Sequence, residues 1–331
     1  MDSSNNIAFV FFSYGNKIIH NRTIFCIYSL LSHYKLKEND KILIYTDTKD
    51  YLSEFLSDEY KIEYNIMSKE TLDNMQNGIG LIHRVKICII KETMLQYPKH
   101  NIFYMDSDTF VKESIDKTIS SIAPINSIMH TFEFNFKELI GKGVRDISHT
   151  FFEVFYQTIQ EDINSQQDIH TINSYNAGII GLHHSNIDAL EKVFLLTDKT
   201  YPQINHHAAE QFSFSYILST IGNVSFCEKQ ITHYWKSIEK SIMDIFIADL
   251  LNKKFKELSN DVKLSKIKML IKTLDKHIAN HPLMLRDNAI QAFNKNKYRE
   301  GLLFAIRYLA NKPNDIAFIK DVLYHTKKKI F

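Results

Sequence analysis

Cysteine is scarce: the 331 residues hold only Cys26, Cys88 and Cys227, far apart and with no C-x-x-C pair. That excludes a disulfide framework and a cysteine-type structural zinc site, and it fits a reducing cytoplasm. Five prolines and nine glycines leave little room for flexible linkers or collagen-like repeats. The one low-complexity tract is the closing Lys327-Lys328-Lys329. No apolar stretch approaches the roughly 18 residues that span a bilayer. Met1 to Asn6 carry no basic region of the kind that opens a secretory signal. The expectation is a cytoplasmic protein, at most peripheral on the inner face of a membrane. Common catalytic signatures are missing too. There is no G-x-S-x-G or H-E-x-x-H, Gly78-x-Gly80 lacks the third glycine of a dinucleotide loop, and Gly141-Lys142-Gly143 is no phosphate loop.

What is present is a chain of 44% hydrophobic and 24% charged residues, enough for one large catalytic domain with an appendage. Its net charge of +2 hides a split. From Met1 to Glu228, 19 Lys and Arg face 28 Asp and Glu, whereas from Lys229 to Phe331 the balance is 21 against 10. An acidic front suits a bound cation; a basic end suits an anionic surface. Few arginines and little interleaved aromatic surface in that basic end argue against nucleic acid.

Ile7 to Ser13 is a short continuous apolar run, as in a strand buried on both faces of a parallel sheet. A helical spacing over Asn21 to Tyr34 and a second buried strand at Lys41 to Thr46 complete a β-α-β unit. The alternation repeats with a strand at Lys61 to Met67, a helix at Arg84 to Tyr97 and, after Pro98, a strand at Asn101 to Met105. The front is therefore expected to be an α/β domain with a mostly parallel sheet, over residues 1–240. Residues 241–331 read as a helical domain, with helices at Ile242 to Leu258, Leu264 to Ile278, Asp287 to Asn296, Tyr298 to Ala310 and Asp315 to Lys329.

Four features carry chemistry. Asp106-Ser107-Asp108 directly follows an apolar strand, where open sheets place ligands, so its two carboxylates can turn to one point and hold a hard divalent cation. Asn176-Ala177-Gly178-Ile179-Ile180-Gly181 sets an amide and small residues before a strand, letting backbone approach a ligand while the Asn side chain bonds it. Glu210-Gln211 opens a helix with two polar groups at its positive end. In His233-Tyr234-Trp235-Lys236, an imidazole stands beside the chain's only Trp, and an imidazole added to two carboxylates suits manganese.

In this order the four resemble the metal-dependent GT-A glycosyltransferases, nearest to the retaining group related to glycogenin and the bacterial lipopolysaccharide galactosyltransferases. The resemblance covers roughly residues 5–240. It implies a Rossmann-like catalytic domain that moves a sugar from a nucleoside-diphosphate sugar, UDP favoured, to a glycan, lipopolysaccharide or capsule-type acceptor with retention. On the same likeness Asp106, Asp108 and His233 hold manganese or magnesium, and Asp106 and Ser107 meet the donor. Asn176, Glu210 and Gln211 face the transferred sugar. Ser13, Tyr14, Thr46 and Asp47 at the first strand ends cradle base and ribose. Arg84 or Lys86 steadies the phosphates, and the phosphate-binding lysine is Lys236 or Lys240. Donor and acceptor choice falls to the segments Phe132 to Asp146 and Glu161 to Ser174.

The basic helices are expected to meet an anionic membrane surface, to build a homo-oligomer, or only to pack on themselves. Two other functions share the same aspartates: a nucleotidyltransferase, which releases pyrophosphate, and a non-catalytic sugar-nucleotide-binding protein.

Overall fold

A computed structural model of the chain describes residues 6–141, 146–162 and 171–330. Positions 142–145 and 163–170, which belong to the two expected specificity segments, lie outside the described residues, as do Met1 to Asn5 and Phe331. The chain divides into two compact units, Met1–His233 and Tyr234–Phe331.

The first unit opens with β1 (Asn6–Ser13), α1 (Lys17–His33), β2 (Lys41–Thr46), α2 (Asp50–Ser53), β3 (Ile62–Ile66), α3 (Lys69–Met75), α4 (Arg84–Gln96) and β4 (His100–Met105). Next come β5 (Thr109–Val111), α5 (Asp116–Ser120), β6 (Asn126–Met129), β7 (Phe132–Asn135), α6 (Phe136–Gly141) and α7 (Asp146–Asp162). It closes with β8 (Asn173–Tyr175), β9 (Ile179–Leu182), α8 (Ile187–Ile204), α9 (Ala209–Ile221), β10 (Asn223–Phe226) and β11 (Ile231–His233).

Seven strands form the central sheet in the order β10-β6-β9-β4-β1-β2-β3. Every neighbouring pair is parallel except the two made by β9, which runs against β4 and β6. The mostly parallel α/β expectation therefore holds. β1 explains its own burial: Phe9 and Phe11 have no exposed surface, and neither do Ala8 and Val10 on the opposite face. Ala8 and Val10 join the core formed with α4, α8 and α9, whereas Phe9 meets Tyr34 at the end of α1 at 5.2 Å between ring centroids. α1 starts earlier than its periodicity predicts, because Asn16 caps it, its Oδ1 accepting the Ile18 and Ile19 N–H groups.

The second unit is all helix: α10 (Ser237–Leu250), α11 (Lys253–Lys256), α12 (Asn260–Asn280), α13 (Pro282–Asn294), α14 (Tyr298–Asn311) and α15 (Ile316–Ile330). The single helix expected from Ile242 to Leu258 is broken. Asn252 turns its Oδ1 onto the Phe255 N–H and starts α11 afresh. α13 and α14 pack as a hairpin around Phe293, with Gly301 at the crossing, where a Cβ would lie 2.6 Å from the Phe293 ring. No helix among the described residues is long and apolar enough to cross a membrane.

Candidate active site

Three strand ends bring the metal-type ligands together. β4 delivers Asp106 at its carboxyl end, and the turn through Ser107 sends Asp108 into β5. β11 runs antiparallel to β5 with His233 opposite Thr109, so the imidazole lies next to Asp108. One ligand atom from each of Asp106, Asp108 and His233 falls within 4.8 Å of the others, a group that could hold a metal ion. His233 is the final residue of β11.

The hydrogen bonds around His233 fix its tautomer. Asn176 Oδ1 accepts the Gly178 N–H at 3.0 Å, and Asn176 Nδ2 donates to Glu133 Oε1 at 2.9 Å, so the amide can sit only one way round. His233 Nδ1, 2.7 Å from that same Oδ1, must then donate to it. In the neutral ring the Nε2 lone pair therefore points outward, 3.3 Å from Asp108 Oδ1. Two electron-rich atoms this close call for a positive charge between them, and a partner that orients the far nitrogen is how metal-bound histidines are held. His130 stacks edge-on to His233 at 5.6 Å and bonds the Ile231 carbonyl through Nε2. Burial, helped by His233, pushes its pKa down to about 4, so it stays neutral.

Gly178 makes the arrangement possible. The Asp106 N–H donates to the Gly178 carbonyl at 2.8 Å, drawing the β9 entry against β4. A Cβ at Gly178 would stand 2.3 Å from His233 Nδ1.

Asp106 is held from below. Tyr104 donates its hydroxyl to Oδ1 at 2.7 Å, and Lys86 Nζ donates to Oδ2 at 3.2 Å and to the Ala177 carbonyl at 3.0 Å. Lys86 is almost fully buried, and its third neighbour is the equally buried Glu210, with Oε1 at 3.4 Å. That oxygen makes an ion pair without an aligned hydrogen bond. Burial raises the Glu210 pKa, Lys86 opposes the rise and Asp106 adds to it, leaving the carboxyl pushed up to about 7. The nearby anions outweigh desolvation at Lys86 and raise its pKa, so it stays charged.

Gln211 sits beside this group. Its Oε1 accepts the Ala177 N–H at 3.3 Å, and its Nε2 donates to Glu133 Oε2 at 2.8 Å and to Ser174 Oγ at 3.3 Å. Glu133, on β7, thus holds the amides of both Asn176 and Gln211. It escaped the sequence reading because it belongs to no motif; an acid alternating with Phe132 and Phe134 was its only signal.

At the first strand ends, Asp47 Oδ2 accepts the Gly15 N–H at 3.1 Å and Oδ1 lies 3.5 Å from His20 Nε2. His20 Nδ1 is 2.9 Å from the buried Ser13 Oγ. Burial lowers the His20 pKa against the pull of Asp47. Thr46 closes the turn onto Thr48, donating to its carbonyl at 3.1 Å, and Tyr14 stacks near Phe12 at 6.2 Å. The four residues expected to meet base and ribose do share one sheet edge, with Ser13 and Thr46 beneath it and not on its surface.

Arg84 lies elsewhere. Its Nε and NH2 take both oxygens of Asp198 on α8, at 2.6 and 2.9 Å, and its guanidinium covers Phe194. The sequence left Arg84 and Lys86 as equals; only Lys86 reaches Asp106. Arg84→Ala is expected to cost about 1–3 kcal/mol of stability, seen as a lower Tm, with nucleotide-sugar binding unchanged. Lys236 belongs to the second unit, where it pairs with Glu239 at 3.2 Å.

No family model matches the chain, and no curated protein matches it. Among solved structures, apo xyloside xylosyltransferase 1 of mouse is 14% identical over 67% of this chain and 85% of its own, with a TM-score of 0.40. The glycosyltransferase GlyE of Streptococcus pneumoniae TIGR4 is 11% identical over 83% of this chain, with a TM-score of 0.45. This chain spans 64% of GlyE.

Proposed function

We propose that the protein is a metal-dependent GT-A glycosyltransferase of hexosyltransferase type. It moves a sugar from a nucleoside-diphosphate sugar, UDP favoured, to a glycan, lipopolysaccharide or capsule-type acceptor with retention. One observation carries the reading: the Asp106, Asp108 and His233 ligand atoms within 4.8 Å of one another, beside the amides of Asn176 and Gln211. Two carboxylates and an imidazole fit manganese, with magnesium second.

A cation held there supplies Lewis acidity to a departing diphosphate. The protein's own residues do the positioning. Asp106 is aimed by Lys86 and Tyr104, and Asn176 keeps the His233 lone pair turned outward. Glu210, buried against Lys86, lies under the site, so contact with the transferred sugar falls to Asn176 and Gln211. Glu133 sets the direction of both amides, which matters because a hydrogen bond preorganised for the transition state contributes on the order of 10²–10³-fold in rate. Asp47 and Tyr14 stand where a base and ribose would lie. The acceptor is reached in the cytoplasm, at a membrane surface met by the basic helices.

The test is a panel of nucleotide-sugars, with and without Mn²⁺, read by thermal stabilisation and slow hydrolysis. Metal-dependent stabilisation and cleavage of one sugar nucleotide is the expected result. Pyrophosphate release from a nucleoside triphosphate would make the protein a nucleotidyltransferase, and binding without cleavage a sugar-nucleotide-binding protein.

A further inference from the structure

In the first unit the side chains of Phe132 and Phe226 are exposed, at 44% and 39%. Both rings flank Tyr175, with centroids at 6.3 and 5.3 Å. Three chain-distant strands, β7, β8 and β10, thus contribute to one aromatic cluster, with Tyr175 buried at its centre and the two Phe rings exposed on either side. Random scatter of surface apolars does not produce this.

Two side-chain amides lie along its edge. Asn135 Nδ2 donates to Asn173 Oδ1 at 3.0 Å, and Asn173 Nδ2 donates to the Tyr175 hydroxyl at 3.1 Å. The Tyr175 hydroxyl, having accepted that bond, keeps its own proton to donate. Rings with an ordered amide ladder and a free hydroxyl donor match a pyranose, whose C–H face meets the negative face of a ring while its hydroxyls bond at the edge. A protein partner asks for a wider apolar core than two exposed rings.

The ribbon shared with the site residues gives the occupant. Side chains alternate along a strand, and Ser174 and Asn176 turn to Glu133 while Tyr175, between them, turns to the aromatic side. Likewise Phe132 directly precedes Glu133. The short β7–β8 ribbon therefore shows the transferred-sugar residues on one face and the aromatic surface on the other. We infer that Phe132, Tyr175 and Phe226, with Asn135 and Asn173, form a saccharide-binding subsite that seats a sugar residue of the acceptor chain outside the reacting pair. This rests on the glycosyltransferase reading for its purpose, but not for its chemistry.

Saturation-transfer NMR tests it directly, using the intact chain and p-nitrophenyl glycosides of glucose, galactose, N-acetylglucosamine and rhamnose, without nucleotide. At least one glycoside is expected to take saturation on its C–H face. Phe132→Leu and Phe226→Leu, which keep apolar area but lose the ring, should each weaken it about five- to tenfold. The Tm of both variants, and the Mn²⁺-dependent stabilisation of Phe226→Leu by sugar nucleotide, should match the wild type. Binding by no glycoside, or equal binding by both variants, would overturn the subsite while leaving the donor reading intact. Glycoside binding that needs the rings, in a protein that binds no sugar nucleotide, would keep the subsite and remove the transferase.

Discussion

Asp108→Ala is expected to abolish metal-dependent turnover, and Gly178→Ala to come close to it without touching a ligand. Asp108 supplies one of three ligand atoms and lies nearest the His233 Nε2, at 3.3 Å. The glycine acts through space: its extra methyl would lie 2.3 Å from Nδ1 and 2.5 Å from Cε1 of the imidazole. The ring cannot yield cheaply, being fixed by Asn176 on one side and packed by His130 on another. Displacing an oriented ligand typically weakens a metal site about 10–100-fold. Titration of Mn²⁺ by isothermal calorimetry should show that loss in Gly178→Ala. The companion measurement is Gly178→Ala combined with His233→Ala. If the glycine acts through the imidazole, the double variant binds no more weakly than His233→Ala alone; additive losses would assign Gly178 some other role.

Lys86→Met should have the largest effect on stability. It leaves Asp106 and the almost fully buried Glu210 without their shared cation, and breaking a buried pair from one side costs about 3–5 kcal/mol. For a unit of this size that is a fall in Tm of about 6–20 °C. The sign of its pH dependence follows from Glu210. Its folded pKa, about 7, lies above the ordinary value of 4.5, so its stabilising protonation is complete below pH 4.5 and is lost as pH rises through about 7. Without Lys86 the penalty for ionising Glu210 grows. The Tm difference between wild type and Lys86→Met should therefore be wider at pH 8 than at pH 5.5, and adding Glu210→Gln should restore part of it at pH 8. A difference independent of pH, or no recovery with Glu210→Gln, would mean that Lys86 acts through packing alone.

Features local in the chain could be read beforehand. The apolar runs of β1, β2 and β4 announced a parallel sheet, Asp106-Ser107-Asp108 announced itself by following one of them, and the amide-small-small pattern at Asn176 marked a tight backbone approach. What could not be read are pairings between distant segments. Arg84 looks like a site residue until Asp198, on another helix, is seen to take its Nε and NH2 while the Met75 carbonyl takes NH1. Lys86 looks like a phosphate ligand until Glu210 and Asp106 are found around it. Glu133 carries no pattern at all; its meaning lies in two amides donated from β8 and α9, and no periodicity encodes that. The reversal of β9 was equally hidden, since its Ile-Ile-Gly-Leu run reads the same in either direction of pairing.

The third ligand of the candidate metal centre is the last residue of the first unit. Asp106 and Asp108 close on His233 only after every other strand and helix of that unit has been laid down, so a bound cation acts as a staple across most of its length. An ion at a hundred times its Kd would add about 2.7 kcal/mol to folded-state stability. A growing chain would hold two aspartates and no imidazole until β11 emerged, so metal capture would coincide with completion of the unit. Any truncation that removes β11 would leave a sheet with its aspartates in place and no means to retain the ion.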